Sequence, residues 1–577
     1  NLSAGLFILP FFLFSATAGQ LADKYEKSLL IRFTVALETG VMLTAAAGFY
    51  LQQVWLLMAA LFFGGMQSAL FGPVKYAILP QHLKPEELVG GNGLVEMGTF
   101  VAILLGTMLG GILIGLQSTE TAPGGTALVS LVTVSIAVLG FLVSRGIPYS
   151  PAPSPQLEIN WNPISETLRN LRFTRRNRVV FLAILGSSWF WFYGAVFVSQ
   201  FPNLGKAVIG GDESVVTLLL MVFSIGIGLG SLLCERLSGR KLEIGLVPFG
   251  SIGLSLFAID FYFASRALEP HEVLGAIEFL RQTQHWRLIA DLVLIGMFGG
   301  FYIVPLYALI QLRSDPEHRS RIIAGNNILN ALFMVIAAAL AIGLLGAGLT
   351  IPQLLLATGI LNAFVALYIY TLVPEFSMRF LIWLLVHSIY RLEKHGIENI
   401  PEKGPALLVC NHVSFVDALI IAAAAQRPVR FVIDHRIFNI PLLHFVFRTG
   451  RAIEIASRQE NPELLERAYA EIAAALTAGE LVCIFPEGRI TDTGELYPFK
   501  HGVQRIIERT PVPVIPLALR GLWGSSFSRR HGNVVLRLWP RKLFARIVLA
   551  AASPVPAALV KPETLQETVL QLRGEWR

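Results

Sequence analysis

Long apolar runs separated by short polar loops dominate the chain as far as residue 373. A helix crosses a bilayer with about 20 consecutive apolar residues, and eleven runs approach that length. The predicted spans are 2–21, 29–51, 54–76, 88–116, 128–143, 179–201, 215–233, 244–263, 288–312, 322–345 and 354–372. This pattern predicts an α-helical membrane protein over the larger part of the chain.

Lysine and arginine are concentrated in alternate loops, beginning with the loop after the first run. The densest basic cluster, 169–178, follows the fifth run and is typical of a topology determinant. Because cytosolic loops are enriched in lysine and arginine, the first run should cross from outside to inside, and the eleventh should end inside. That orientation predicts one further helix ahead of Asn1, giving twelve helices with both ends of the bundle in the cytosol.

Two sequence patterns recur in the second half of this region. Phe63-Gly64-Gly65 recurs as Phe298-Gly299-Gly300, and the segment 90–94 recurs as 325–329, each 235 positions later. A repeat in register with the same loop topology predicts two six-helix halves. The predicted boundaries are 1–145 for the first half, 146–178 for a cytosolic connector and 179–373 for the second half.

The segment Gly19-Gln20-Leu21-Ala22-Asp23-Lys24 resembles the loop signature of the major facilitator superfamily. The resemblance implies that fold and assigns Gly19, Asp23 and Lys24 to a gating motif, in which the aspartate helps to lock the two halves on the cytosolic side. The second-half counterpart, 230–236, is degenerate. Residues 26–28 replace the usual later glycine and arginine of the motif.

A few polar residues lie inside the apolar runs, where burial in lipid is costly. Asn92 and Glu96 are four apart and share one helix face, and Asn327 is the repeat mate of Asn92. Together with Glu38 and Asp260, we expect them to line a transport path. The alternative is that they form hydrogen bonds between helices.

After residue 373 the pattern changes. An amphipathic, aromatic-rich stretch at 376–392 predicts a helix lying on the membrane, within an interfacial linker spanning 374–400. Short apolar strands then alternate with helices, which predicts an α/β domain at 401–577. The predicted strands are 406–410, 430–433, 481–485, 512–519 and 534–538, and the predicted helices are 418–425 and 462–476.

Two segments of this domain carry candidate chemistry. His412 follows a predicted strand, and Asp417 lies five positions later. A histidine can take a proton from an attacking alcohol, and a carboxylate behind it fixes its tautomer. Glu487-Gly488-Arg489 follows a second strand, where a glycine lets backbone N–H groups approach an anion and an arginine can bind a phosphate.

These motifs resemble the PlsC-like glycerolipid acyltransferases in content and order. The resemblance rests on Asn411-His412-x4-Asp417, Phe485-Pro486-Glu487-Gly488 and Val512-Pro513-Val514-Ile515-Pro516. It implies that His412 is the general base and Asp417 its partner. It also implies that the acceptor phosphate binds at Glu487, Gly488 and Arg489. Arg451 and Arg458, in the segment 450–458, are competing candidates for the phosphate-binding arginine.

The whole chain resembles a bacterial fusion of a lysophospholipid transporter with 2-acylglycerophosphoethanolamine acyltransferase. That resemblance implies an inner-membrane protein with a cytosolic acyltransferase domain, an acyl-ACP or acyl-CoA donor, and acyl carrier protein as a possible partner. An acyl-ACP synthetase domain commonly follows in such proteins, and the sequence contains no Gly/Ser/Thr-rich nucleotide loop typical of one. The resemblance therefore adds an acyl-ACP synthetase, as a further domain or a separate protein, to the expected partners. The alternative is an efflux-type transporter fused to an independent 1-acylglycerol-3-phosphate acyltransferase, or a transporter half that serves only as an anchor.

Composition agrees with a membrane protein. Of the residues, 54% are hydrophobic and 15% are charged, and the net charge is +7. The basic residues are clustered beside the apolar runs, which is typical of a membrane protein and not of a nucleic-acid-binding protein. Three scattered cysteines are too few for a disulfide framework or a zinc site. We therefore expect membrane lipids as partners, no nucleic acid, no metal and no bound cofactor.

Overall fold

The computed structural model describes residues 2–116, 124–238, 245–266, 268, 273–372, 374–401, 404–425, 427–525, 527–531 and 544–576. The chain divides into two compact units, Asn1–Ile369 and Tyr370–Arg577, close to the predicted change of character at residue 373. The predicted strand 534–538 lies outside the described residues.

The first unit is built of helices. They are α1 (Leu2–Lys24), α2 (Lys27–Tyr50), α3 (Val54–Ala77), α4 (Leu79–His82), α5 (Leu88–Ile114), α6 (Gly125–Ser144), α7 (Pro163–Arg176), α8 (Arg178–Asn203), α9 (Glu213–Leu237), α10 (Leu246–Ser265), α11 (Ala276–Arg281), α12 (Trp286–Arg313), α13 (Arg319–Gly346) and α14 (Ile351–Leu372). Within the described ranges, eleven helical segments are long and apolar enough to cross a membrane, as the hydropathy pattern predicts.

The repeated glycines lie at equivalent close contacts in the two halves. A Cβ on Gly65 of α3 would lie 2.3 Å from the carbonyl oxygen of Phe7 in α1, and a Cβ on Gly300 of α12 would lie 2.5 Å from the backbone nitrogen of Ser231 in α9. Only glycine permits such an approach between helix backbones. The repeat seen in the sequence therefore corresponds to a repeated helix packing.

The second unit contains helices and strands. Its helices are α15 (Pro374–Ile389), α16 (Asp417–Ala424), α17 (His435–Phe438), α18 (Pro441–Thr449), α19 (Pro462–Thr477), α20 (Gly502–Arg509) and α21 (Pro562–Arg573). Its strands are β1 (Tyr390–His395), β2 (Ala406–Cys410), β3 (Val429–Asp434), β4 (Ile453–Ile455), β5 (Leu481–Ile484), β6 (Val514–Arg520) and β7 (Ala545–Ala551). In the described residues the sheet order is β1-β7-β6-β2-β5-β3-β4, and β6 with β7 is the antiparallel pair.

The central strand β2 is buried on both faces, which explains its unbroken apolar sequence. Leu408 packs in one core with Ile420 of α16, whereas Leu407 packs in a second core with Ile472 of α19 and Val569 of α21. β2 and β5 are parallel neighbours, so the residues that follow them leave the sheet at the same edge.

The prediction of an interfacial helix over 376–392 is wrong at its C-terminal end, because the helix ends before residue 392. α15 ends at Ile389, and Tyr390–His395 is strand β1, which pairs with β7 in parallel. The end of the predicted linker therefore belongs to the sheet of the second unit.

Candidate active site and transport path

His412 and Asp417 meet at the carboxyl edge of the sheet, immediately after β2. His412 Nδ1 lies 2.8 Å from Asp417 Oδ2, so the carboxylate favours the tautomer with the proton on Nδ1. Nε2 is then the nitrogen that can accept a proton. The His412 ring also stacks on Phe485, with ring centroids 4.2 Å apart, and this packing fixes its plane.

Asp417 is held by the turn that connects β2 to α16. The carboxylate accepts hydrogen bonds from Val413 N at 2.6 Å, from Ser414 N at 3.0 Å and from Ser414 Oγ at 2.6 Å. The residue is fully buried. Its position depends on these backbone donors as well as on His412, so it is a rigid partner for the imidazole.

Cys410 lies next to this pair, at the end of β2, but has the wrong chemistry for a nucleophile. It is fully buried, and burial raises the pKa of its thiol well above the usual value. Cys483 on β5 is buried likewise, and burial raises the pKa of that thiol too. Because thiolates are the reactive form, both cysteines are core residues.

Glu487 joins the loop after β5 to the segment that follows β2. Its Oε1 accepts a hydrogen bond from His412 N at 2.7 Å, and its Oε2 accepts one from Tyr497 N at 2.8 Å. Burial raises the pKa of this carboxyl, although both backbone hydrogen bonds act in the opposite direction. Glu487 therefore connects two loops, and its part in binding the acceptor phosphate stays a prediction.

Gly488 and Arg489 form the exposed part of this loop. Gly488 has a φ of +68°, and a Cβ there would lie 2.5 Å from Lys500 Nζ, so a side chain would displace that lysine. The Arg489 guanidinium carbon lies 3.8 Å from the ring centroid of Tyr497. The cationic side chains of Lys500 and Arg489 therefore lie beside Gly488, next in the chain to Glu487, which accepts a hydrogen bond from His412 N.

Arg451 occupies the opposite edge of the sheet from His412. It precedes β4, and its Nη1 lies 3.1 Å from Oε1 of Glu480, which precedes the parallel strand β5. The register argues against the expectation that Arg451 binds the acceptor phosphate. Arg458 follows β4 and lies on the His412 edge, where its role as a phosphate ligand stays a prediction.

In the first unit, Asp23 connects the two halves of the bundle. Its Oδ2 accepts from Arg321 Nε at 2.9 Å and its Oδ1 from Ser320 N at 3.2 Å, both on α13. Gly19 lets α1 approach α13, since a Cβ there would lie 2.8 Å from Ala324 Cβ. Lys24 is half-buried at the end of α1. These contacts join the two halves at this end of the bundle, and a gating role for them stays a prediction.

A second contact between the halves was not predicted. Glu235 at the end of α9 lies against the first turn of α5, with Oε2 2.8 Å from the position a Cβ on Gly90 would occupy. It belongs to the degenerate segment 230–236. The signal that could have found it is its place in that segment, where Glu235 lies five positions after Gly230 and Asp23 lies four positions after Gly19.

The structure brings Asn92 and Glu96 into one buried polar cluster. Asn92 Oδ1 accepts from Gln311 Nε2 of α12 at 3.0 Å, which links the two halves. Glu96 accepts a hydrogen bond from the Tyr76 hydroxyl, and Lys75 Nζ donates to Thr99 Oγ1 at 3.1 Å. The sequence pattern indicated Asn92 and Glu96 but not Gln311 and Tyr76, which lie on other helices.

The other three expected path residues lie in different places. Glu38 accepts from Gln67 Nε2 at 3.4 Å within the first half. The Asn327 amide on α13 lies against Gly72 on α3. Asp260 is partly exposed and pairs with Arg287, whose Nε lies 3.0 Å from Asp260 Oδ2. Asp260 thus pairs with Arg287, and the hydrogen bond from Gln67 on α3 to Glu38 on α2 fits the alternative of an interhelical contact.

Comparison with known proteins matches each unit to a family. The family model for the Major Facilitator Superfamily matches residues 1–279, and the Acyltransferase family model matches residues 391–520. The Escherichia coli proteins called lysophospholipid transporter LplT, from strains O1:K1 and O157:H7 (EC4115) among others, are 28% identical over 329 residues, which is 56% of this chain and 72% of theirs.

Solved structures give weaker similarities. The acyltransferase PlsC from Thermotoga maritima is 22% identical, with a TM-score of 0.26, over 35% of this chain and 78% of its own. The transporter FucP in an outward conformation is 14% identical, with a TM-score of 0.49, over 64% and 90%. On the family matches and the LplT relatives, the chain joins a major facilitator superfamily transporter domain, homologous to LplT, to a C-terminal acyltransferase-family domain.

Proposed function

We propose that the protein moves a lysophospholipid inward across the membrane and re-acylates it on the cytosolic side. The first unit would transport the lipid, and the second would convert 1- or 2-acyl-glycerophosphoethanolamine and an acyl thioester into the diacyl lipid. Fusion raises the effective concentration of the transported lipid at the second site. Support for transport comes from the homology to proteins named for lysophospholipid transport.

The observation that carries the catalytic part is the 2.8 Å contact between His412 Nδ1 and Asp417 Oδ2. With the proton on Nδ1, Nε2 accepts the proton of the lipid's free glycerol hydroxyl as that oxygen attacks the thioester carbonyl. The C–O ester bond forms and the C–S bond breaks. The thiolate leaves, and the imidazolium returns its proton to the sulfur.

Asp417 contributes by stabilising the imidazolium that forms during attack. Its buried carboxylate is already satisfied by Val413 N and Ser414 N, so it need not reorganise as charge develops. No enzyme nucleophile takes part, because the lipid hydroxyl attacks the thioester directly. The buried, high-pKa thiol of Cys410 agrees with that route.

The donor would be acyl-ACP or acyl-CoA, both thioesters, with acyl carrier protein or a separate acyl-ACP synthetase as possible partners. The alternating basic loops support a cytosolic location for the second unit. The polar cluster around Asn92 and Glu96, which connects the two halves where α5 begins and α12 ends, supports a place for the lipid headgroup at that end of the bundle.

The test uses the purified full-length protein in lipid nanodiscs, with lysophosphatidylethanolamine and either acyl-ACP or acyl-CoA. Wild-type protein should form the diacyl lipid. His412→Ala should abolish acylation and leave uptake of the lysolipid into proteoliposomes unchanged. Full acylation by His412→Ala would refute the catalytic assignment, and activity with lysophosphatidic acid alone would favour an independent 1-acylglycerol-3-phosphate acyltransferase.

A further inference from the structure

A further arginine, Arg529, lies at the His412 edge of the sheet, on the other side of β2 from Arg489. Arg529 belongs to the loop after β6, whereas Arg489 belongs to the loop after β5. β5 and β6 are the two parallel neighbours of β2. The two loops therefore leave the carboxyl edge on either side of His412, where ligands bind in open α/β sheets.

The loop after β6 is attached to the residues that follow His412. Phe415 N donates to Phe527 O at 3.2 Å, and Ser414 forms an isolated antiparallel bridge with Ser528. The Arg529 guanidinium carbon lies 5.6 Å from the ring centroid of Phe415. Since Ser414 also holds Asp417, Arg529 is positioned by the same turn that positions the catalytic pair.

Asp492 provides a negative charge near both arginines. Its Oδ1 accepts a hydrogen bond from the Tyr497 hydroxyl, and the ring of that tyrosine packs on Arg489. The Tyr497 hydrogen bond is the main reason that the pKa of Asp492 lies below its usual value, and the positive charges of Arg489 and Arg529 contribute to it. A carboxylate influenced by two guanidinium groups marks a place where an anion is favoured.

We propose that Arg529 is a second ligand of the acceptor lipid's phosphate, acting together with Arg489. The inference rests on the proposed function and assigns a binding residue to that same site. The two guanidinium groups would bind the two free oxygens of the phosphodiester from opposite sides, and the phosphate would replace Asp492 as their counter-charge. A phosphate held at two points orients the glycerol hydroxyl towards His412.

The test compares two neighbouring arginines of one loop in the full-length protein in nanodiscs. Arg529→Gln should raise the KM for lysophosphatidylethanolamine about tenfold or more, because a charge-assisted hydrogen bond is lost, with little change in kcat. Arg530→Gln is the matched control. The Arg530 Nη1 lies 3.0 Å from the position of a Cβ on Gly524, so this side chain packs against its own loop. Because it is not assigned to the phosphate, the same change of charge at Arg530 should leave the KM unchanged.

Arg529→Lys keeps the charge and should give an intermediate KM, which guards against misfolding of the glutamine variant. Equal KM values for Arg529→Gln and Arg530→Gln, or a loss of kcat without a change in KM, would overturn the inference while the proposed function stands. A wild-type protein that acylates no lysophospholipid would overturn the proposed function and this inference with it.

Discussion

Replacement of Asp417 by asparagine separates the charge of this residue from its structural role. In wild type, Oδ2 accepts from His412 Nδ1, Val413 N and Ser414 N, and Oδ1 accepts from Ser414 Oγ. An asparagine with its amide oxygen in the Oδ2 position keeps the three N–H donors satisfied. Its NH₂ group can donate to Ser414 Oγ, because a hydroxyl can rotate to accept.

The magnitude follows from what the asparagine cannot supply. It keeps the proton on Nδ1 but carries no charge to stabilise the imidazolium in the transition state. A hydrogen bond to a charged group contributes about 1.5–3 kcal/mol, and about 1.4 kcal/mol corresponds to a tenfold change in rate. Asp417→Asn should therefore lower kcat roughly 10- to 100-fold.

Asp417→Ala should instead destabilise the fold. It leaves Val413 N and Ser414 N without their buried acceptor, and each unsatisfied donor costs about 1–3 kcal/mol. Thermal unfolding of the acyltransferase unit should therefore move to a lower temperature in Asp417→Ala than in Asp417→Asn.

The assay measures steady-state acylation and thermal unfolding of the same protein preparations. Asp434→Asn is the control, since Asp434 ends β3 at the same edge of the sheet but pairs with exposed Arg436. It should keep wild-type kcat. The proposed role of the charge would be refuted if Asp417→Asn kept a kcat within about threefold of wild type. It would also be refuted if the loss of activity equalled the fraction of protein that is unfolded.

Two further predictions follow from buried carboxylates. Asp23→Asn removes the charge paired with Arg321 between α1 and α13, and breaking a buried ion pair costs about 3–5 kcal/mol. Maleimide labelling of a Ser320→Cys variant should therefore increase and lysolipid transport should fall, whereas acylation of detergent-supplied lysolipid should persist. Unchanged labelling would contradict a gating role for this ion pair. Because burial raises the pKa of Glu487 above 4.5, its stabilising contribution is present below pH 4.5 and is lost as pH rises through the folded-state pKa. The Tm of wild type minus the Tm of Glu487→Gln should therefore decrease as pH rises above about 4.5. A Tm difference that grows with pH would contradict the raised pKa of Glu487.

The membrane helices could be predicted because bilayer thickness imposes a length on every span. The eleven predicted runs agree with the eleven apolar helical segments found among the described residues. Strand β1 was misread as the end of a helix, since Tyr390–His395 continues the sequence of α15 without a glycine or proline between them. β4 has only three residues, too few for a periodic pattern to appear.

The contact between His412 and Asp417 could be predicted from the sequence because both residues lie in one short turn. The partners of Asp23 were not, since Arg321 is 298 positions away and becomes its neighbour only when the halves pack. The sequence could not separate Arg451 from Arg458 as phosphate candidates, because the position of Arg451 at the amino edge of the sheet depends on the direction of β4. Arg529 carried no recognisable motif.

The central claim, that one chain imports a lysolipid and then acylates it with His412, is tested most directly in sealed proteoliposomes. The acyl donor is enclosed inside, labelled lysophosphatidylethanolamine is added outside, and molecules with the acyltransferase unit inward are isolated by their resistance to external protease. Wild-type protein should accumulate labelled diacyl lipid, whereas His412→Ala should accumulate labelled lysolipid in the inner leaflet at the wild-type initial rate. Diacyl lipid formed at equal rates by both proteins, or no inward movement of lysolipid in either, would contradict the account.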